Sequence, residues 1–429
     1  MIKFTKNIFL FFGILSGVNA LAQSTTNSPY SRFALGELTG TSLPQTRALG
    51  GIGAALRKPT GYNNINLSNP ASYSAITLTA FDIGLYSSFN SLTKDGRTEK
   101  NFTGSLSHVV FAIPVSRNSG LSFGVLPFST MGYRNRQTVK ADTITVNHVY
   151  NGDGGLSKAY LGYAYQIGQH LSIGGNISYV FGKLEQNRDA EFPYDAAALN
   201  TRNQVTRSVG GLSFEYGLQY FTKVNKKVKL TLGYSGSASN KLSSSLTNIS
   251  THYTKDATGN ENIALDSTVF EDNISSNLKL PLSHRMGVVF ERTDRWLIGA
   301  DLTMAQWADY REGNSNPGLQ NAFGVAVGGQ ITPDITAVGS YFKLVDYRLG
   351  FKYDRTYIAL DNSNINQAAI TLGLGLPLPS SRSTFYKINI GAELGQRGKL
   401  DNSLVRERFA NIYLGFTIND KWFQRYKFD

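Results

Sequence analysis

From about residue 78 onward, apolar and polar positions alternate with a period of two. In Leu171-Ser172-Ile173-Gly174-Gly175-Asn176-Ile177-Ser178-Tyr179-Val180-Phe181 the odd positions are apolar or Gly and the even ones mostly polar or small. Leu212 to Tyr220 repeats the pattern in the opposite parity, as does Tyr386 to Leu394. Period two gives a strand with one apolar and one polar face. The pattern predicts strands at 78–91, 100–115, 118–134, 154–167, 170–185, 204–223, 227–245, 273–292, 295–311, 319–331, 335–350, 365–377, 384–397 and 404–419. That is about 14, an even number within the range of bacterial outer-membrane barrels. No mature segment of similar length shows a 3.6-residue period.

The connections alternate in character. Short ones fall at 116–117, 168–169, 224–226, 293–294, 332–334 and 378–383. Long polar ones fall at 135–153, 186–203, 246–272 and 351–364. Short turns on one side and long loops on the other mark a transmembrane β-barrel. The fold class expected is therefore all-β, a closed antiparallel barrel. In hydrocarbon every backbone N–H and C=O must be paired, and closing the sheet removes its edges. Glu215, Arg285, Glu291, Asp301, Lys387 and Glu393 share the parity opposite the apolar face and are expected to form a polar network in the lumen. Tyr163, Tyr165, Tyr216, Tyr220 and Trp296, near strand ends, are expected in an interfacial girdle. A soluble propeller, also built of short strands, lacks the loop alternation and would need a blade repeat.

Composition narrows the class. The 429 residues include no Cys, which excludes disulfides, thiolate metal sites and thiol nucleophiles. Charged residues make up 17%, against roughly 25% in ordinary soluble domains. Lys3 and Lys6, the apolar run Ile8 to Val18 and the small-x-small Ala20-Leu21-Ala22 read as a secretory signal over 1–22, with Gln23 as mature N-terminus. Its removal takes two lysines and no acid, lowering the net charge from +12 to +10. The basic residues are scattered, so nucleic acid is not an expected partner. The expected location is the bacterial outer membrane, with its lipid as solvent.

Residues 23–77 break the alternation, residues 78–419 form the barrel, and 420–429 make a periplasmic tail. Arg47-Ala48-Leu49-Gly50-Gly51-Ile52-Gly53-Ala54-Ala55 lacks the spacing of a dinucleotide fingerprint. Its glycines suit close backbone packing in a confined lumen, and Asn69-Pro70 initiates a turn. This Gly-rich stretch, followed by Leu67-Ser68-Asn69-Pro70-Ala71 and then a barrel, resembles the FadL/TodX outer-membrane transport family. Leu280 to Val288 with Arg295 to Asp301 and Trp307, and Phe323 to Gly329 with Thr332-Pro333, are similar to that family's paired strands. The resemblance implies a 14-stranded barrel with an N-terminal hatch. It also implies passive uptake of hydrophobic small molecules, fatty-acid-like or aromatic, through a gap in the wall. Gly50, Gly51, Gly53, Asn69, Pro70 and Ala71 carry over as hatch or gating positions. The tail Lys421 to Asp429, continuing past the last strand, departs from the usual barrel end.

His108, His148, His170, His252 and His284 form no HExxH and no close pair, so neither a metal site nor any other cofactor is expected. No nucleophile motif accompanies them, so no enzyme activity is expected. Phe192, Pro193 and Tyr194 form an apolar patch in a polar loop, which fits either a docking surface or packing within the loop. The alternative function is a non-transporting barrel subunit that docks or carries protein partners in an outer-membrane secretion or assembly machine. Its contacts would be the tail from Trp422 and the loops 186–203 and 246–272.

Overall fold

The computed structural model describes residues 27–422 apart from 58–63, 143, 196–197, 257, 361–362, 381–383 and 401–403. The expected signal segment and the tail beyond Trp422 lie outside the described residues. The N-terminal part carries β1 (Glu37–Leu38) and the helical turn α1 (Pro44–Arg47). The strands that follow are β2 (Thr79–Lys94), β3 (Arg97–Ser116), β4 (Ser119–Ala141), β5 (Ile144–Ile167), β6 (Leu171–Glu191), β7 (Asn200–Lys223), β8 (Lys229–Ser237), β9 (Lys241–Tyr253) and β10 (Asp266–Lys279). Then come β11 (Ser283–Arg292), β12 (Trp296–Ala305), β13 (Arg311–Glu312), β14 (Ala322–Ile331), β15 (Asp346–Leu360), β16 (Ser363–Pro377), β17 (Phe385–Arg397) and β18 (Arg406–Asp420).

Every neighbouring pair runs antiparallel, and the last strand returns to the first: β18 pairs with β2 from Arg406↔Thr93 to Asp420↔Thr79. Pairs β8/β9, β10/β11 and β12/β13 each act as one interrupted stave, because β7 pairs with both β8 and β9, and β10 with both β9 and β13. The wall is therefore a closed ring of 14 staves. Closure pairs the backbone that lipid cannot solvate. The outward side chains form an apolar belt, from Leu161 on β5 through Ile173 and Ile177 on β6 to Leu414 on β18, all exposed. Tyr163, Tyr165, Tyr216, Tyr220 and Trp296 are exposed near the short-turn ends of their strands, where amphipathic rings match a lipid–water boundary.

Three expectations are corrected. The long external loops at 135–153, 186–203, 246–272 and 351–364 are mostly paired strand. β4 and β5 stay in register to Ala141↔Ile144, and β6 and β7 to Ala190↔Thr201. Above the belt no lipid demands an apolar face, so the period-two signal fades while backbone pairing continues. A spanning strand needs about 9–11 residues, whereas β6 has 21, so half of it rises beyond the belt. β4, β5, β6, β7, β9 and β10 together form a tall external sheet. Second, 335–350 is not one strand: residues 332–345 form a turn containing Tyr341–Lys343, and β15 starts at Asp346. Third, the strands expected at 227–245, 273–292 and 295–311 all break at the same level. The breaks lie around Ser239, at Pro281, which has no N–H to offer a ladder, and at Trp307–Asp309.

The N-terminal segment packs inside the ring in two tiers. In the lower tier Leu43, Ile65, Leu67, Tyr73 and Ile76 pack against Val110, Leu126, Tyr160 and Ala164 of the wall, while Leu49, Ile52, Ala55 and Leu56 meet Val289 and Leu297. In the upper tier Tyr30 and Leu35 join Met131, Leu156, Val180, Leu242, Trp307 and Tyr357. Wall glycines make room: a Cβ at Gly233 would land on the Ala54 carbonyl, and one at Gly328 on that of Leu49.

At the top of the external sheet Arg202 forks onto Asp189 (2.9 and 3.0 Å) and Glu261 (2.8 and 3.0 Å). The Arg202 hydrogen bonds hold the Glu261 carboxyl below its ordinary value. A depressed carboxylate stabilises the fold above its unfolded pKa, and that contribution is lost as pH falls through the folded value.

Two outcomes are expected. Gly233→Val or Gly328→Val weakens plug seating by about 1–3 kcal/mol and lowers the temperature at which the band shifts in gel heat-modification, while Gly175→Ala, whose Cβ meets only the Glu215 carbonyl at 3.5 Å, leaves it unchanged. In limited digestion with pepsin, Arg202→Met opens the 254–265 loop across the acidic range, whereas the parent opens only below the usual Glu pKa of about 4.3.

Candidate functional site

The ring is interrupted between β3 and β4. β3 pairs with β4 only from Val109↔Val125 to Ser116↔Ser119, although β3 stays paired to β2 up to Lys94↔Arg97. Both strands carry an irregularity where they part. Ser107 is skipped in the β2–β3 register, and the β4–β5 register shifts between Pro127 and Ser129. A bulge bends its strand and raises the local twist, so residues 97–108 and 126–141 diverge and leave a gap in the wall. From inside, β1 takes up part of the free β4 edge: Glu37↔Thr130 and Leu38↔Ser129 pair, Thr39 N donates to Phe128 O (3.2 Å), and Ser31 Oγ and Gly132 meet at 3.0 Å.

Behind the gap lies a cavity of about 310 Å³. Its mouth is Ser105, Leu106, Ser107 and His108 on β3 with Leu126, Pro127 and Thr130 on β4. Its floor is Arg47, Gly50 and Gly51, and its far wall includes Arg285, Asp301, Lys352, Asp354, Glu393 and Arg397. A neighbouring cavity of about 240 Å³ shares Leu38, Gly40, Thr41, Leu126, Pro127 and Arg285 and reaches Pro281 and Trp307 at the break in the staves. Ion pairs stud the first cavity. Lys352 Nζ lies 2.7 Å from Glu393 Oε1, Arg397 pairs with Glu37, and Ser28 Oγ donates to Glu407 Oε2 at 2.7 Å. At the lower lip His108 Nε2 sits 2.6 Å from Asp82 Oδ1, and Thr417 Oγ1 donates to Asp82 Oδ2 at 2.6 Å. An apolar solute in this cavity would lie against charged walls, at a desolvation cost.

The carried-over positions lie in the N-terminal segment, and all but Gly51 contact the wall. Gly50, in the left-handed region at φ 72°, donates its N–H to Thr371 Oγ1 (2.8 Å). Gly51 follows at φ 87°, and the N–H groups of Gly53 and Ala54 donate to Asp301 Oδ2 at 2.7 and 2.9 Å. Asn69 caps the turn through Ala71 N (3.0 Å) and donates to the carbonyls of Ala54, Leu218 and Tyr234. Pro70 abuts Gly174, and the Ala71 carbonyl accepts from Ser172 Oγ at 2.8 Å.

Of the six lumen charges, Arg285 has a buried Nη1 without a hydrogen bond, and the other five find separate partners. Glu215 pairs with Lys158 at 2.6 Å and accepts from Asn176 at 2.8 Å. Glu291 faces Lys229 at 3.8 Å, and Lys387 meets Asp346 at 2.7 Å beside Arg348. Glu393 belongs to Lys352, while Asp301 serves the plug with Arg285 nearby. Lys158, Lys352, Asp346, Arg348, Arg397 and Glu407 were not read from sequence. Lys158 shares the inward parity of its strand and was legible in principle; Asp346 and Arg348 were hidden by the misplaced start of β15. Phe192, Pro193 and Tyr194 stand at the outer tip between β6 and β7, Tyr194 being 87% exposed. His148 lies on β5, and His252 pairs with Asp266 at 2.8 Å.

The closed antiparallel ring with an internal N-terminal segment is a transmembrane β-barrel of the FadL/TodX fold. It is similar to the Pseudomonas putida toluene transporter TodX, with a TM-score of 0.61 and 14% identity over 91% of this chain and 100% of that one. A Pseudomonas aeruginosa FadL homologue gives 0.57 and 14% over 90% and 100%, and the Ralstonia pickettii toluene transporter TbuX gives 0.55 and 12% over 89% and 99%. No curated protein matches in sequence. The family described as BamG matches residues 1–429, and the chain belongs to the BamG family.

Asp301→Ala strands two buried N–H donors, and a cost of about 2 kcal/mol or more is expected. The natural chain has no Cys, so a single Cys placed at Ser42 reports it cleanly: maleimide labelling in detergent should be faster in the Asp301→Ala background.

Proposed function

We propose that this barrel is a non-transporting subunit that docks a protein partner in an outer-membrane secretion or assembly machine. The observation that carries this reading is the fitted lumen: two tiers of buried side chains, hydrogen-bonded to the wall and seated on its glycines, lie above and below a charge-lined cavity. Such a plug suits a rigid scaffold better than a conduit for apolar solutes. Surfaces for a partner are available on both sides. Among the described residues, the external sheet has edges without a neighbouring strand along 133–141 of β4 and 266–276 of β10, and an edge is a template for another strand. At the opposite end Val338 and Phe342 are 100% and 75% exposed in the β14–β15 turn, and Trp422 is half exposed after β18.

A second reading, passive uptake of fatty-acid-like or aromatic molecules, is favoured by the gap between β3 and β4 and by the fold shared with toluene transporters. Under it Gly50, Gly51, Gly53, Asn69, Pro70 and Ala71 would gate the lumen.

Two measurements separate them. Extraction from the native membrane in mild detergent should yield a stoichiometric protein partner, and reconstituted vesicles should take up labelled toluene or palmitate no faster than empty ones. A lone barrel that accelerates uptake several-fold overturns the docking reading in favour of the second.

A further inference from the structure

The outer surface beside the gap carries charge of one sign directly above an apolar field. Register places Arg408 opposite Ser91 and Ser91 opposite Lys100. The two cations therefore share an outward row across β18, β2 and β3, about 9.6 Å apart by strand spacing. Two residues further from the belt lies the row of Arg406 and Thr93. Two residues toward the belt lie Phe89 and Phe102, opposite one another with ring centroids 4.9 Å apart, and Leu414, Leu85 and Leu106 line up lower still. Phe89, Phe102, Leu85, Leu106 and Leu414 are all exposed. Across the gap β4 presents Arg134, Arg136 and Lys140 at i, i+2 and i+6, on one face and all exposed.

No Asp or Glu shares the rows of Lys100, Arg406 and Arg408 across β18, β2 and β3. Among the described residues above Phe89 and Phe102, the positions of β2, β3, β4 and β18 sharing the cations' parity include no Asp or Glu. Glu407 and Glu99 fall on the other parity. Glu407 is buried inside with Ser28 and Arg397, and Glu99 lies in the β2–β3 hairpin end. On the β4 side the same face carries Asp153, opposite Gly132, and Asp189, two strands along the row of Arg136; Asp189 and Glu261, the latter within electrostatic reach of Arg134, are both committed to Arg202.

We propose that a phosphorylated, multiply acylated lipid of the outer leaflet sits across the β3–β4 gap. Its phosphates lie between Lys100, Arg406 and Arg408 on one flank and Arg134, Arg136 and Lys140 on the other, and its acyl chains lie on the Phe89–Phe102 and Leu85–Leu106 rows. Apolar rows capped by cations match an anionic amphiphile in both chemistry and order. The site is independent of whether the lumen conducts, because it lies on the outer face. A lipid there would also cover the mouth formed by the unpaired stretches of β3 and β4, where uncovered backbone meets hydrocarbon at a cost.

The test uses the full mature chain in nanodiscs of phosphatidylcholine containing a minor fraction of a bis-phosphorylated diglucosamine lipid, with retained lipid read by native mass spectrometry. The parent should keep that lipid in preference to phosphatidylcholine. Arg134→Glu/Arg136→Glu/Lys140→Glu and, separately, Lys100→Glu/Arg406→Glu/Arg408→Glu should each lower retention on the order of tenfold or more. Lys183→Glu, on the tall side of the barrel, should not. High salt should mimic the triple variants. Heat-modifiable gel migration identifies variants that are still folded barrels; if a triple variant is not, Arg134→Gln with Arg136→Gln replaces it. Equal retention by parent and folded variants, or no preference over phosphatidylcholine, overturns the proposal. So does displacement by a protein strand in natively extracted material.

Discussion

The structure depends on one constraint: in hydrocarbon a peptide group has no partner except another peptide group. Fourteen staves meet it by closing on themselves, and the β18–β2 seam, paired over its full length, is as continuous as any other. Once the ring is closed, its two faces are free to specialise. Outward positions need only be apolar within the belt. Inward positions can carry Asp346, Lys387, Arg348 and Glu393 because each finds a charged partner within hydrogen-bond reach. Buried charges of this kind hold geometry more than they add stability, which suits a wall that must hold an internal segment in a fixed place.

The exception to closure is informative. β3 and β4 part company where both strands are irregular, and the chain uses its own N-terminus to cover some of the backbone so released. That patch is incomplete, and the uncovered remainder opens onto a cavity whose walls are ionic. The same opening would serve a conduit in a relative with an apolar lumen. Here it meets Arg285, Asp301, Lys352 and Glu393, so the opening leads to charge and not to an apolar channel.

The barrel itself was legible in sequence because lipid enforces a period-two code. Leu171 to Phe181 alternates because its odd positions face acyl chains. The code is silent where lipid stops. Residues 186–191 and 200–203 are as regularly paired as those below them, yet both faces are polar and nothing in the pattern distinguishes them from a loop. Pro281 announces a break in its stave, whereas the break at Trp307 reads as strand because an aromatic fits either setting. The seating of Asn69, Pro70 and Ala71 came from resemblance. Their partners, Ser172, Leu218 and Tyr234, lie a hundred residues or more away and leave no local trace. Lys158 and Glu215 both carried the right parity, but parity assigns a face and not a neighbour.

The path of the first described residues has a consequence for handling the protein. Ser28 reaches Glu407 near the outer end of the final strand, Tyr30 bonds to Val405, and Ser31 bonds to Gly132 on the third stave. These first described residues are thus held by residues nearly four hundred positions later in the chain. A tag joined directly ahead of Ser28 would begin at the level of Glu407, at the outer end of the cylinder. One fused after β18 would begin on the opposite side of the membrane, clear of the enclosed segment.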